Sequence, residues 1–278
     1  MKRMVRMSLL GLLAMSLLAS CKKEEKPFVP KEPELQEDYT ETAFLTNMEM
    51  VYVKGGEFMM GMTPEQGWDR PDSIIKKYTR KTKLDSYHIG KYEVTQAQWK
   101  AVMGDDYYGD DDYPKVWIDW EEAQEFSKKL REMTGKKYVL PTQAQWEYAA
   151  RGGVHDTKTM YAGSNDIDEV AWYEENSKGL IWDAPEYPTR HPVGTKKANA
   201  LGLYDMSGNV WEYCSDWYIN AGYDKKDDYN PQGPDSGSYH VIRGGSFYSN
   251  DRECRVSYRY NDNHIQRAER GFRVAVLP

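Results

Sequence analysis

Histidine and cysteine are two kinds of side chain through which this 278-residue chain could bind a transition metal or attack a substrate. The histidines lack the close spacing that zinc and iron sites require. They are His88, His155, His191, His240 and His264. The sequence also has no Gly-x-Ser-x-Gly elbow and no phosphate-binding loop. No histidine metal site, serine-hydrolase site or nucleotide site is therefore indicated.

The first cysteine has the context of a lipidation site. Cys21 ends the run Leu18-Ala-Ser-Cys21, which resembles a bacterial lipobox, after a cationic start and an apolar stretch over residues 7–19. The resemblance implies that residues 1–20 are removed and that Cys21 is acylated; an ordinary signal peptide is the alternative. Residues 21–47 are charged and proline-bearing, which predicts a flexible tether.

Acylation of Cys21 would also determine the cellular location of the protein. Several acyl chains anchor a protein firmly, because two lipid signals suffice for stable membrane attachment. We therefore expect a lipid-anchored protein of the cell envelope, at the outer membrane, with a periplasmic or surface-facing domain over residues 48–278.

Cys214 and Cys254 are the other two cysteines of the chain. An exported protein meets an oxidising compartment, so the two could form a disulfide. Two separate buried thiols are the other possibility. The sequence leaves both open.

The composition is that of a globular domain rich in polar aromatic side chains. The formal net charge is −7 and no basic stripe is visible, so nucleic-acid binding is not expected. The chain has 22 Tyr and 9 Trp but only 6 Phe, which predicts a core that combines apolar area with hydrogen bonds. Its 22 Gly and 13 Pro predict much irregular backbone.

Local signals predict helices early in the domain. Capping boxes, in which side chains at both ends of the first turn satisfy backbone N–H groups, open three of them. The paired residues are Thr95 with Gln98, Asp119 with Glu122, and Thr142 with Gln145. The second helix should bury one apolar face and end at Gly135; that face carries Ala123, Phe126, Leu130 and Met133.

Short strands are predicted mainly late in the chain, which gives a mixed α+β class. Residues 50–61 predict two short strands about a Gly-Gly turn. Residues 239–243, 255–259 and 271–276 predict three more strands. The stretch 153–200 has no sustained periodicity and predicts an ordered loop region.

Five short runs in a fixed order resemble the formylglycine-generating enzyme family, also called the sulfatase-modifying-factor family. The runs are Lys91–Thr95, Leu140–Gly153, Asn199–Glu212 (which ends Ser-Gly-Asn-Val-Trp-Glu), Arg243–Phe247 and Arg270–Pro278. The resemblance covers residues 48–278 and implies a variant of the C-type-lectin-like fold with much irregular structure. The resemblance says less about activity, because proteins with the same fold can have different functions.

The family's enzymes oxidise a sulfatase cysteine to formylglycine with copper(I) and dioxygen, and two cysteines five residues apart hold the copper. The matching positions are Ser249 and Cys254. Copper(I) prefers sulfur ligands, so a serine hydroxyl is a poor substitute and copper is not expected. Cys254 is the only candidate catalytic residue. Ser246, which matches the Gly-Gly-Ser serine, is expected in the same cleft as Ser249, although a turn-forming serine would explain it as well.

The resemblance also implies a calcium site in the third run. Carried over residue by residue, its ligands are the side chains of Asp205 and Glu212 and the backbone carbonyls of Gly208 and Val210. Carboxylates and carbonyls are the hard oxygen donors that calcium prefers. The alternative is that Asp205 caps a turn and Glu212 pairs with an arginine.

Two function hypotheses follow from these patterns. The first is a non-catalytic envelope lipoprotein whose domain binds a protein or a glycan. The second is an oxidase of the formylglycine-generating type, or a thiol enzyme that works through Cys254. Exposed tryptophans would favour binding, although core packing is the commoner fate of tryptophan; the candidates are Trp68, Trp117, Trp172 and Trp182.

Overall fold

The fold begins near Gln36 and extends to Pro278. The structure is a computed structural model, and it describes residues 36–43, 46–67, 78–105, 110–179, 187–220, 228–263 and 265–278. The predicted signal peptide, Cys21 and the first part of the tether lie outside the described residues, as do Trp68 and Trp182. Within the described residues, no helix is long and apolar enough to cross a membrane.

All three predicted capping boxes are confirmed. Helices α1 (Gln96–Met103), α2 (Trp120–Thr134) and α3 (Gln143–Ala150) each begin after an N-cap side chain that accepts from the backbone N–H three residues later. Helix α2 ends as predicted at Gly135, whose φ of 72° is left-handed. A single turn, α4 (Ile167–Val170), lies in the long loop region, most of which is irregular as expected.

The described strands form three sheets. Their bounds are β1 (Tyr39–Glu41), β2 (Met48–Val53), β3 (Gly56–Gly61), β4 (Thr79–Leu84), β5 (Tyr87–Gly90), β6 (Lys137–Val139), β7 (Trp211–Trp217), β8 (His240–Arg243), β9 (Arg259–Asn261), β10 (Arg270–Gly271) and β11 (Ala275–Leu277). One sheet has the order β1-β2-β5-β11-β6, the second β10-β7-β8-β9, and the third pairs β3 with β4. Short helices and curled small sheets make the fold α+β, as predicted.

The two strands predicted over residues 50–61 exist, but they do not pair with each other. Strand β2 pairs with β5, and β3 pairs with β4 in a different sheet. The Gly-Gly turn therefore carries the chain from one sheet to another. The two predicted strands are present on either side of the glycines; β2 pairs with β1 and β5, and β3 pairs with β4.

Two of the late strands also differ from their predictions. The strand predicted over 255–259 is mostly wrong, because residues 251–257 form turns and β9 begins only at Arg259. The strand predicted over 271–276 is divided into β10, which pairs parallel with β7, and β11, which pairs with β5 and β6. The last run therefore crosses from one sheet to another.

Strand β1 lies within the segment that was expected to be tether. Tyr39–Glu41 pairs antiparallel with Met48–Met50. The Glu41 carboxylate accepts hydrogen bonds from Lys136 Nζ at 2.7 Å and from the Tyr138 hydroxyl at 3.1 Å. The predicted domain start at residue 48 is therefore too late. A three-residue polar strand has no hydrophobic run by which the sequence could reveal it.

The core combines aromatic and aliphatic packing with buried charge. The predicted face of α2 is confirmed, since Ala123, Phe126 and Leu130 are fully buried. Phe126 stacks on Trp99 of α1, with ring centroids 5.6 Å apart. Met133 is only partly buried at the edge of the same cluster.

A buried carboxylate on α3 is held by two arginines. Glu147 is fully buried; Arg151 Nη2 lies 2.9 Å from its Oε1, and Arg243 Nη2 lies 3.0 Å from its Oε2. The backbone N–H of Gly61 donates to the same Oε1 at 2.7 Å. This contact joins the second and fourth sequence runs to strand β3.

Replacing Glu147 with Gln should lower the free energy of unfolding by about 3–5 kcal/mol, because two arginines would stay buried with their carboxylate gone. Urea unfolding followed by tryptophan fluorescence measures the change. The matched control is Glu132→Gln on the exposed face of α2, expected within about 0.5 kcal/mol of wild type. Equal stability of the two variants would contradict this role for Glu147.

Candidate functional site

One arginine from the fifth run lies at the centre of the buried polar network. Arg273 Nη1 donates to the carbonyl of Gly90 at 3.0 Å, and its Nη2 donates to the carbonyl of Tyr204 at 3.0 Å. Its Nε and Nη2 each donate to the carboxylate of Glu212 at 2.6 Å. A bidentate pair of this kind is both strong and geometrically specific. Arg273 thus joins the third and fifth runs to the end of β5.

Glu212 extends the same network to α3. Its Oε2 also accepts a hydrogen bond from the indole Nε1 of Trp146 at 2.7 Å. Glu212 and Trp146 are both fully buried. The predicted alternative for Glu212, a pair with an arginine, is therefore what the structure contains.

Glu93, which the sequence analysis did not single out, supports the loop between Asp205 and Glu212. Its carboxylate accepts from the backbone N–H of Val210 at 3.0 Å and from the side-chain amide of Asn209 at 2.6 Å. Asp205 accepts from the backbone N–H of Gly194 at 2.7 Å. Asp205 and Asn209 both have positive φ, a conformation that Asp and Asn adopt more readily than most residues. These carboxylates fix the shape of the loop.

Carboxylates outnumber the cation in this cluster. Glu93, Asp205 and Glu212 act electrostatically on one another, and Arg273 is the cation that acts on them. Burial, with the neighbouring carboxylates, raises the pKa of Glu93 well above its usual range, and burial raises that of Asp205 to about 6. Uncompensated buried charge is costly. Binding of protons or of a further cation by the cluster would lower this free-energy cost.

The four predicted calcium ligands fit this arrangement in part. Asp205 supplies a buried carboxylate, and the excess negative charge favours a divalent cation. Glu212, however, already accepts three hydrogen bonds from Arg273 and Trp146. No three His, Cys, Asp or Glu side chains among the described residues are grouped so as to hold a metal ion. A calcium ion would therefore depend on backbone oxygens, and the site stays a prediction.

The backbone around Gly208 has no room for a side chain. A Cβ atom there would lie 2.2 Å from the carbonyl oxygen of Trp172, and the residue has a φ of 75°. Gly208 N–H donates to the carbonyl of Gly244 at 2.8 Å. Glycine at this position therefore holds the third run against the fourth and against residue 172, which accounts for its place in the motif without any metal.

Ser246 and Ser249, predicted in the cleft, form a closed hydrogen-bonded turn. Ser249 Oγ accepts from the backbone N–H of Ser246 at 3.0 Å, and Ser246 Oγ donates to Glu269 at 2.6 Å. Both serines are buried. Burial raises the pKa of Glu269, a residue that the sequence analysis did not identify. The turn-forming role considered for Ser246 is present in the structure.

Cys254 lies in an apolar cluster with Tyr161, Val170 and Tyr173. It is fully buried, and burial raises the pKa of its thiol well above the usual range. The thiolate is the form that attacks substrates and binds metals, so this environment opposes both roles. Cys214 is a separate free thiol, buried in another cluster. Of the two possibilities left open, the structure has separate buried thiols.

Of the predicted tryptophans that the structure describes, Trp117 lies at the surface and Trp172 packs against another ring. Trp117 is 65% exposed and has a φ of 64°, which is rare for a bulky side chain. Trp172 stacks on His191, with ring centroids 3.7 Å apart.

A protein-family comparison identifies the fold that these contacts build. Residues 36–277 match the family model described as the sulfatase-modifying factor enzyme 1-like domain. The chain belongs to this family. The resemblance predicted from the five runs is confirmed, and the matched range begins 12 residues before the predicted domain start, close to strand β1.

Curated relatives in the family have different functions by name. A protein of Paenibacillus barcinonensis named chaperone protein LppX is 34% identical in an alignment of 218 residues, and the match covers 63% of this chain and 74% of that relative. A formylglycine-generating enzyme of Streptomyces coelicolor is 33% identical over 177 residues, covering 58% of this chain. This chain spans about half (51%) of that enzyme's length.

Solved structures show the same fold over nearly the whole domain. Treponema denticola variable protein 1 superposes with a TM-score of 0.71 at 27% identity, covering 87% of this chain and 99% of that one. PvdO from Pseudomonas aeruginosa superposes with a TM-score of 0.70 at 22% identity, covering 89% of this chain and 100% of that one. At this identity, the likeness to PvdO shows the fold alone.

If the cluster at Asp205 and Glu212 binds calcium, calcium should raise the melting temperature. A ligand at 100 times its Kd adds about 2.7 kcal/mol by mass action, which is roughly 5–10 °C for a domain of this size. Asp205→Asn should reduce that gain, because it removes a charge but keeps an oxygen that can accept from Gly194. Glu212→Gln is unsuitable, since it would also break the pair with Arg273.

Differential scanning calorimetry with and without a chelator measures this effect. The matched control is Asp235→Asn, which removes the same charge from an exposed position. A melting temperature that is identical in chelator and in excess calcium would show that the cluster is structural without metal.

Proposed function

We propose that this protein is a lipid-anchored protein of the cell envelope whose family domain binds a protein or a glycan and does not oxidise sulfatase cysteines. The observation that carries the proposal is the turn at Ser246–Ser249. The position of the family's first copper-binding cysteine holds a serine whose hydroxyl accepts a backbone hydrogen bond inside that turn.

The environment of Cys254 supports the same proposal. A copper(I) site needs soft, ionised sulfur ligands. Here the one remaining sulfur at the family position is buried among aromatic and aliphatic side chains that favour the neutral thiol. This donor set does not fit copper(I).

The envelope location rests on the sequence. A lipobox-like run at residues 18–21 follows a signal-peptide-like segment, and a charged, proline-bearing stretch separates it from strand β1. Such an arrangement suits a domain that is held near a membrane and works by contact with other envelope molecules.

The oxidase is the second candidate, and relatives named formylglycine-generating enzyme favour it. Besides the Streptomyces enzyme, one from Thermomonospora curvata is 33% identical in an alignment of 203 residues, and the match covers 66% of this chain and 63% of that relative. The test below separates the two candidates.

The purified, reduced protein should bind no stoichiometric copper(I) and should not convert a Cys-x-Pro-x-Arg peptide to formylglycine, because Cys254 is the only sulfur donor at the family position. Copper(I) titration against a competing chelator and mass spectrometry of the peptide measure the two properties. Ser249→Cys should raise copper affinity at least tenfold by adding a second sulfur.

Ser249→Ala is the matched control, since it removes the hydroxyl and supplies no sulfur; its copper affinity should equal that of wild type. Stoichiometric copper on the wild type that is lost in Cys254→Ser, together with formylglycine in the peptide, would establish the oxidase instead.

Cys21→Ala should release the protein from membranes, because the acylated atom is lost. Partitioning between detergent and aqueous phases after expression of the full chain measures this. Lys22→Ala is the control, as it alters the adjacent residue and keeps the thiol. Equal detergent partitioning of Cys21→Ala and Lys22→Ala would rule out lipid anchoring at Cys21.

A further inference from the structure

Strand β1 joins the end of the predicted tether to the folded domain. Its three residues, Tyr39–Glu41, form one edge of the five-stranded sheet and pair antiparallel with β2. Strand β2 pairs with β5 on its other side. Departure of β1 therefore leaves the strands β2, β5, β11 and β6 paired in their present order.

An ion pair holds the carboxyl-terminal end of β1. The carboxylate of Glu41, a residue that is only 6% exposed, accepts from Lys136 Nζ at 2.7 Å, from the Tyr138 hydroxyl at 3.1 Å and from the backbone N–H of Ala43 at 3.1 Å. Burial alone would raise the pKa of Glu41, but these hydrogen bonds outweigh burial and lower the pKa. The ionised carboxylate therefore stabilises the docked strand, and protonation removes this contribution.

A histidine of β5 holds the other end of the strand. His88 Nε2 lies 2.9 Å from the carbonyl oxygen of Glu37, so this nitrogen carries a proton and donates it. The imidazole also contacts the rings of Tyr39 and Tyr52, whose centroids are 5.0 and 5.4 Å away. Burial lowers the pKa of His88 from its ordinary value of 6.5. The docked strand therefore favours the neutral imidazole.

The charges that face His88 act in opposite directions. The carboxylate of Asp38, which accepts from the backbone N–H of Tyr52 at 2.8 Å, favours the imidazolium, whereas the ammonium of Lys136 opposes it. Burial and Lys136 outweigh Asp38 and the hydrogen bond to Glu37, because the pKa is lowered overall. Since residues 37 and 39 contact the imidazole, departure of β1 would return His88 toward water and ease its protonation.

We infer that strand β1 is a reversible, pH-dependent attachment of the tether to the domain, docked at neutral pH and released from the sheet on acidification while the other four strands stay paired. Protons bind the released state more tightly at both ends of the strand. The docked state loses stability as the pH falls below about 6.5, through His88, and loses more as it falls below about 4.5, through Glu41.

Release changes the reach of the domain. Residues 37–47 would join the tether, which adds at most roughly 40 Å of extended chain before β2 begins at Met48. The change in reach rests on the proposed anchoring at Cys21, whereas the release of β1 does not depend on it.

Hydrogen–deuterium exchange of the detergent-solubilised full chain tests the inference. Peptides that cover residues 36–43 and peptides from β7 are compared at about pH 7.5 and about pH 5.5, with each rate corrected for intrinsic exchange at that pH. One group with an ordinary pKa of 6.5 changes the opening equilibrium by about tenfold at most over this range. Protection over residues 36–43 should fall about three- to tenfold and return at pH 7.5, whereas protection of β7 should not fall.

Variants at the two ends of the strand identify the groups responsible. His88→Gln removes the titration but keeps an N–H that can donate to Glu37, so protection over residues 36–43 should be equal at both pH values. His155→Gln, at an exposed position, is the matched control and should keep the wild-type change. Glu41→Gln should lower protection at both pH values at least threefold, whereas the exposed Glu132→Gln should leave it unchanged.

Three results would overturn the inference: protection over residues 36–43 that does not depend on pH, an acid-induced loss shared by β7, or wild-type protection in Glu41→Gln at both pH values. A full pH response in His88→Gln would overturn it as well. Loss of anchoring is measured separately, by the detergent partitioning of Cys21→Ala; its failure would remove the change in reach and leave the release of β1 as measured.

Discussion

The buried pair of Arg273 and Glu212 is the interaction on which the rest of the domain depends. An arginine and a glutamate that are both withdrawn from water must be fully hydrogen-bonded, because an unpaired buried charge costs several kcal/mol. The pair meets this condition through Trp146 on α3 and the carbonyls of Gly90 and Tyr204. Segments that are distant in sequence are thus fixed around one point, even though the regular secondary structure is short.

A second buried group, one glutamate between two arginines, also joins segments that are distant in sequence. Glu147 on α3 joins Arg151 and Arg243, so that the helix of the second run holds the fourth run as well. Glu93, in the first run, holds the backbone at Val210. All five runs that mark the family therefore meet in buried hydrogen bonds and ion pairs. This explains why the runs identify the fold and leave the activity to residues outside the network, such as Ser249.

Local sequence signals predicted the helices because a capping box is complete within four residues. The sequence did not predict which strands pair: β2 pairs with β1 and β5, and β3 with β4, in separate sheets. The polar network was harder still: Glu93 and Asn209 lie 116 positions apart and meet only in the folded chain. Glu93 does stand inside a signature run, and that position was the one signal that could have drawn attention to it.

The buried Ser246–Ser249 turn lies beside the network, because the backbone N–H of Phe247 donates to the carbonyl of Asn209 at 2.9 Å. A serine at position 249 keeps this turn hydrogen-bonded, since its hydroxyl accepts from the backbone N–H of Ser246. One buried framework is therefore compatible with relatives that are named as enzymes and as a chaperone, because a fold does not determine function.

The most direct test of the central role of the Arg273–Glu212 pair is a double-mutant cycle on the free energy of unfolding, with Glu212→Gln, Arg273→Gln and the double variant. Each single variant should lose about 3–5 kcal/mol, because each leaves the partner charge buried and unpaired. The double variant should lose much less than the sum, with a coupling energy of at least about 2 kcal/mol. Small, additive losses would contradict the account and show that the framework is held together elsewhere.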